Sequence, residues 1–278
     1  MADRLRNVVI VSDHAAITGG QAKVAIDSAR LLAEDGLAVT FFAACGPVDP
    51  TLSHPGITVR CLGQPAILSD PNRVRASLRG IWNRTAARAL RDLLGQFDPT
   101  ETVLHCHGYA KALSPAIGPV ITAGPLAAVY TMHEYFLACP NGGFYDYRRN
   151  RICTRRPLSM ACLATNCDAR RLSHKAWRVL RQGMARGPGH LPRGLSDIIY
   201  ISETQRRAMA PYLPQNARLH HVPNPIRTSD LRPVAASKNG AFVFVGRLSP
   251  EKGAVMFAGA AQELGFRAVF VGDGPERQ

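Results

Sequence analysis

The feature that most constrains this chain is an alternation between short β-branched apolar runs and longer stretches of helical periodicity. NVVIVSD (residues 7–13) ends in polar residues, HAAITGG follows, and QAKVAIDSARLLAEDG spaces its apolar residues at helical steps before closing on Gly36. Strand, glycine-containing loop and helix in that order make a crossover unit, since a helix can return the chain to begin a second strand parallel to the first. LAVTFFAA, ITVRCL, TVLHCHG and LAAVYTMHE supply four further strands, with a long helical stretch over 73–95 before the fourth. Near-continuous apolar strands need cover on both faces, so the fold class is α/β with a parallel, doubly wound sheet.

The rhythm breaks over 139–167, where Cys, Arg, Gly and Asn are scattered without period, and that stretch reads as an inserted Cys/Arg-rich loop. A helical segment over 169–184 and the strands SDIIYIS and RLHHVPN complete a first domain, residues 1–222. PNPIRTSDLRPVAASKNG carries three prolines and no apolar period, so 223–240 is a linker. Alternation then restarts as AFVFVG, the turn RLSPEKG, the helix AVMFAGAAQELG, the strand RAVFVG and the turn DGPE. This partial second domain, 241–278, is smaller than a unit that usually supports its own core, so it either leans on the first domain or is a fragment.

Among the 278 residues no apolar run reaches the roughly 18 to 20 that a membrane span requires, and MADRLRNVVIVSD passes directly from charge into a strand. The chain therefore reads as cytoplasmic, without a signal peptide. Its formal charge of +14 is uneven: residues 148–193 hold twelve Arg or Lys against one acid, Asp168. Such a block attracts polyanions, whether nucleic acid, anionic lipid or phosphorylated substrate, or is simply a solvated face. Only Trp177 offers a stacking platform within it, so no nucleic acid is expected. Seven cysteines without an export signal argue against a disulfide framework. Cys139, Cys153, Cys162 and Cys167 crowd the inserted loop, where they would be either a structural zinc site or free thiols, their spacing lacking the paired C-x-x-C.

In a parallel sheet ligands gather at the carboxyl ends of the strands. Gly19 and Gly20 lie there after the first strand, and His133 just beyond the fifth; His105 and His107 flank Cys106 at the fourth, where structural and functional roles are both open. In FVGRLSPEKG, Gly246 ends a strand, Arg247 stands at its edge, Pro250 stiffens the turn and Lys252 begins the next helix, an arrangement of two fixed cations and a helix dipole that suits a diphosphate. The loop is no Walker A, lacking its G-x-x-x-x-G-K-[ST] order. Gly272 and Gly274 follow the next strand at the same edge.

The ordered set TGGQAKVAIDSARLLAEDG, TMHEYFLACPNG, IYISETQRR, HVPNPI, FVGRLSPEKG and VGDGPE resembles the motifs of glycosyltransferase family 4 across the whole chain. That resemblance implies the GT-B fold, two Rossmann-like domains facing a cleft, here with the second incomplete. It implies a retaining transfer from a UDP-, GDP- or ADP-linked sugar, without a catalytic metal, to a glycan or lipid-linked acceptor, as in polysaccharide synthesis. By the same resemblance Arg247 and Lys252 grip the donor phosphates, His133 bonds the transferred sugar, and Gly19 and Gly20 face the donor from the acceptor-side domain. Ser202 and Glu203 match the family's SE after a strand end, Asn224 the hinge turn, and Gly272, Gly274 and Pro275 a loop beside the nucleotide. The family continues beyond this point to two glutamates separated by seven residues, which hold sugar and ribose; the sequence ends at Gln278, so weak or no turnover is expected from it alone. The basic block would then dock on the inner membrane face as a peripheral contact. The alternative is a non-catalytic or nucleic-acid-binding basic module with a zinc-stabilised Cys loop.

Overall fold

The computed structural model describes residues 5–226 and 235–277. Strands β1 (Asn7–His14), β2 (Ala38–Cys45), β3 (Ile57–Cys61), β4 (Thr102–Cys106), β5 (Ala127–Met132), β8 (Asp197–Tyr200) and β9 (Arg218–His221) form one sheet in the order β3-β2-β1-β4-β5-β8-β9. Every neighbouring pair in it is parallel. The order reverses between β1 and β4, the point where a crevice opens beyond the carboxyl ends of a doubly wound sheet. The remaining strands of this part, β6 (Tyr145–Asp146) and β7 (Arg151–Ile152), make a small antiparallel ribbon inside the inserted loop.

Helices cover both faces: α1 (Gly20–Glu34), α2 (Arg73–Ile81), α3 (Arg84–Leu94), α4 (Gly118–Thr122), α5 (Met160–Leu163), α6 (Leu172–Arg186) and α7 (Glu203–Met209). Two apolar cores result. Val8, Ile10, Ile26, Ala29, Val39 and Phe41 fill the α1 side, and Val11, Phe42, Leu90, Leu104, Leu113, Ile117 and Met132 the other. The strand residues alternate between the two lists, as period-two side chains must when both faces are buried.

The stretch read as one helix over 73–95 is two. Trp82 is extended, and Asn83 restarts the helix by accepting from Ala86 N (3.1 Å) through Oδ1. Asn83 is itself buried, held by Gln64 and by the Ala112 carbonyl (2.7 and 3.0 Å), so a tertiary anchor overrides continuous helical periodicity.

A second, smaller piece follows: β10 (Ala241–Val245), a single 3-10 turn at Pro250–Lys252, α8 (Ala254–Leu264) and β11 (Arg267–Val271), with β10 and β11 parallel. Phe242, Phe244 and Phe270 pack their rings against Phe257 of α8 and Phe266 just after it, at centroid distances of 4.4 to 5.7 Å. Of the expected linker 223–240, residues 227–234 lie outside the described residues, as do residues 1–4 and Gln278 of the expected domains. Among the described residues no helix is long and apolar enough to cross a membrane.

Candidate functional site

Parallel strands carry their loops to one edge, and there the end of the first strand does structural work that the sequence reading missed. Asp13, buried as the last residues of β1 emerge, accepts from the backbone amides of Ala112 (2.7 Å), Leu113 (2.9 Å) and Lys111 (3.2 Å). A carboxylate with three amide donors fixes the loop after β4 against β1. Gln21, in the first turn of α1, donates to the His107 carbonyl (2.8 Å) and accepts from Lys111 Nζ (3.3 Å), and Lys111 pairs with Glu134 (2.8 Å). A Cβ on Gly108 would stand 1.7 Å from Gln21 Nε2, so a side chain there would push the Gln21 amide off the His107 carbonyl.

Three histidines meet on this edge. His107 Nδ1 and His133 Nε2 share a hydrogen bond (3.0 Å), and His105 Nε2 bonds Thr131 Oγ1 (2.7 Å) with its ring 4.0 Å from that of His107. Burial pushes His105 and His133 down to about 4, the His105 and Lys111 charges adding to the effect at His133, and lowers His107 well below its usual value. At neutral pH His133 is therefore an uncharged hydrogen-bonding group. The space it borders with Gln21, Tyr130 and Glu134 is about 10 Å³, enough for roughly one water.

Gly19 and Gly20 open α1, and a Cβ on either would meet nothing within 4 Å, so the protein's own packing does not require their smallness. Ser202 caps α7, its Oγ accepting from Gln205 N (3.2 Å), while Glu203 pairs with Arg206 (2.7 Å) on the same helix. The side chain that reaches back to the strand edge is Gln205, buried and donating to the Met132 carbonyl (2.8 Å). Asn224 is exposed.

Arg247 lines a different space, a cleft of about 400 Å³ between the two pieces. Asn141, Tyr147, Asp168, Arg170 and Arg178 form one wall, and Arg247, Ser249, Pro250, Glu251 and Pro275 the other. Arg178 is held by Asp168 (2.8 Å), whereas Arg247 has no ion-pair or hydrogen-bond partner among the described residues. Ser249 Oγ and Asn141 Oδ1 are buried there without partners. Lys252 is exposed on the 3-10 turn, and it is not among the residues lining this cleft. The structure thus places Arg247 and His133 on separate spaces.

Gly246, Gly272 and Gly274 hold the second wall together. A Cβ on Gly272 would lie 1.9 Å from the Gly246 carbonyl oxygen, and one on Gly274 2.1 Å from that of Leu248. The two turns are cross-linked through Gly246 N to Val271 O and Leu248 N to Asp273 O, both 3.0 Å.

The cysteine loop is organised around a cation of the protein's own. Lys175, 2% exposed, donates to Cys167 Sγ (3.3 Å) and Cys162 Sγ (3.6 Å), and Asn141 Nδ2 donates to Cys167 Sγ (3.1 Å). Burial acts to lower Lys175, but Cys167 and Cys162 more than offset it and the net shift is upward. Cys153 lies beside Arg155 (3.8 Å), and Cys139 is buried. All seven cysteines are free, and among the described residues no three His, Cys, Asp or Glu side chains converge to hold a metal ion. Of the two alternatives for Cys139, Cys153, Cys162 and Cys167, zinc site or free thiols, the described residues have the thiols free, with the Lys175 ammonium bonded to two of the sulfurs.

Comparison with known proteins agrees with this architecture. No curated protein matches the sequence. Among solved structures, the chain is similar to UGT71G1 of Medicago truncatula complexed with UDP-glucose (TM-score 0.52, 12% identity, 97% of this chain and 67% of that one). It is likewise similar to the sucrose-phosphate synthase of Thermosynechococcus elongatus (TM-score 0.51, 13% identity, 96% and 70%). At these identities the likeness concerns the fold, the Rossmann-like architecture of GT-B glycosyltransferases. The sequence profile of Glycosyltransferase Family 4 matches residues 18–230, most of the large sheet with its crossover helices and inserted loop, and this protein is a glycosyltransferase of that family.

Proposed function

We propose that the protein transfers a sugar, with retention, from a nucleoside-diphosphate donor held in the cleft between the two pieces to a glycan or lipid-linked acceptor in cell-surface polysaccharide synthesis. The observation that carries this reading is the cleft itself: it is lined by Arg247, which is unpaired among the described residues, and by Ser249 and Asn141, whose Oγ and Oδ1 are buried without partners. Cleaving a sugar–diphosphate bond builds negative charge on the departing oxygen, which a fixed guanidinium stabilises and a mobile solvent shell does not. That a neighbour of the same fold carries UDP-glucose supports the donor class.

In this mechanism Arg247 compensates the phosphate charge, and Lys252 reaches the same group from the turn. His133, neutral because it is buried, donates a hydrogen bond to a hydroxyl of the transferred sugar. Gly19 and Gly20 leave room for the donor's approach to the α1 amino terminus, Asn224 follows the last strand of the large sheet, and Ser202 and Glu203 cap and begin α7 after β8. Separation of Arg247 from His133 makes closure of the two pieces around the donor part of the cycle. Peripheral attachment at the cytoplasmic membrane face completes the reading.

Thermal shift with UDP-, GDP- and ADP-sugars tests it. One nucleotide class raises the melting temperature, and Arg247→Ala weakens that donor by about 10- to 100-fold, the range of a lost charge-assisted bond. Binding unchanged in Arg247→Ala removes the assignment.

A further inference from the structure

Five of the twelve basic residues between 148 and 193 are absorbed by the fold. Arg155 and Arg178 pair with Asp146 and Asp168, Arg148 and Arg181 donate to backbone carbonyls, and Lys175 serves the two sulfurs. Three others converge. Arg156, Arg186 and Arg193 line a hollow of about 570 Å³ whose remaining wall is largely apolar, including Leu191, Pro192, Tyr212 and Leu213. No Asp or Glu lines it, and none of the three guanidinium groups has an ion-pair or hydrogen-bond partner among the described residues.

This hollow is not part of the donor cleft. All strands of the large sheet are parallel, so the segments that lead into β8 and β9 lie at the amino edge. Arg186 to Arg193 precede β8 and Pro211 to Pro214 precede β9, whereas His133 and Ser202 follow strands at the carboxyl edge. Helix α6 joins the two regions: Arg178 faces the cleft, and Arg186, eight residues on or about 12 Å along the axis, faces the hollow.

Three like charges around one concave, partly dry space repel one another. Arg186 shows the cost, its pKa lowered by burial and then by the Arg156 charge. Planar guanidinium groups in that arrangement match the oxygens of a phosphoryl group, which they bind in bidentate fashion. We propose that the hollow is a second anion site, taking a phosphate monoester or diphosphate whose apolar body lies on the proline and leucine wall. The inference stands independently of the donor assignment, since it uses other residues on the other edge of the sheet.

The test uses the full chain carrying Arg247→Ala with Lys252→Ala, which removes both cations assigned to the donor phosphates. Inorganic pyrophosphate titrated by calorimetry binds at one site, and adding Arg186→Gln with Arg193→Gln weakens it by at least about tenfold, while sulfate and chloride at matched ionic strength do not reproduce the signal. In parallel, flotation on vesicles of phosphatidate in phosphatidylcholine, against phosphatidylcholine alone, distinguishes a lipid headgroup from a soluble phosphate as the source. Binding in either arm that the arginine variants abolish supports the site. Binding in neither arm, or binding that the variants leave unchanged, overturns it. Should the half-buried Arg186 prove necessary for folding by circular dichroism, Arg156→Gln with Arg193→Gln, both exposed, carries the same comparison. Because donor binding is scored separately on protein with Arg247 intact, failure here and failure of the donor assignment are distinguishable.

Discussion

The large sheet and the β10–α8–β11 piece are written in the same sequence code and reach different ends. In the large sheet Val9, Ile10, Val11 and Phe41 are fully buried, because helices cover both faces. In the small piece Val243 is 56% exposed and Val245 75%, although AFVFV is as apolar as NVVIV. Alternation explains the difference: Phe242 and Phe244 point towards the phenylalanines of the α8 segment, while Val243 and Val245 point to the uncovered side. An apolar run specifies a strand, but burial depends on how many neighbouring layers exist to cover it. The small piece has built the chemistry of its loops without a comparable core.

Acid should break the contrast most deeply. Folded His105 and His133 stay neutral to about pH 4, and burial holds His107 well below its usual value too, whereas an unfolded imidazole takes its proton near 6.5. The unfolded chain therefore binds protons first, and stability is intact above about pH 6.5 and drains as pH falls towards 4. Both tryptophans, Trp82 and Trp177, lie in the large sheet's part of the chain, so their fluorescence follows this loss directly. A melting curve by tryptophan that is flat between pH 7 and 4 contradicts it.

Phe41→Ala comes next. Emptying a fully buried ring position costs about 3–5 kcal/mol, read as a drop of roughly 10 °C in the same melt. Gly272→Ala is smaller, about 1–3 kcal/mol from forced overlap with the Gly246 carbonyl. Hydrogen exchange should quicken at residues 246–253 and 272–277 while the tryptophan melt stays put; a shift in both would show the pieces unfolding as one. Val245→Ala is the weakest, within about 0.5 kcal/mol, because the side chain is mostly in water already. A loss near that of Phe41→Ala would mean that the exposed strand face is covered in solution.

The parallel α/β fold class and the irregular stretch over 139–167 were legible in the sequence because periodicity and loop chemistry are local, whereas the strand order is set by topology. The break at Asn83 was not, since its cause is contact with Gln64 and Ala112, residues 19 and 29 positions away. Asp13 left a faint signal, an acid closing an otherwise apolar strand, but its partners at 111–113 are set by topology. The cysteine cluster stayed open between zinc and free thiols because composition shows the sulfurs and not the lysine that bonds two of them. That Arg247 and His133 act on one donor was implied by the family resemblance, which already set them in two facing domains, and they do lie at the ends of strands in different sheets.

The paired glycine turns carry one last implication, for how this edge can change. Since backbone atoms at 246 and 248 fill the volume where side chains at 272 and 274 would stand, neither turn can be reshaped without displacing its twin. Variation in what the edge grips is thereby channelled into the side chains between these fixed points, and a library that randomises 247, 249 and 273 while sparing the glycines would explore nearly all the freedom the backbone leaves.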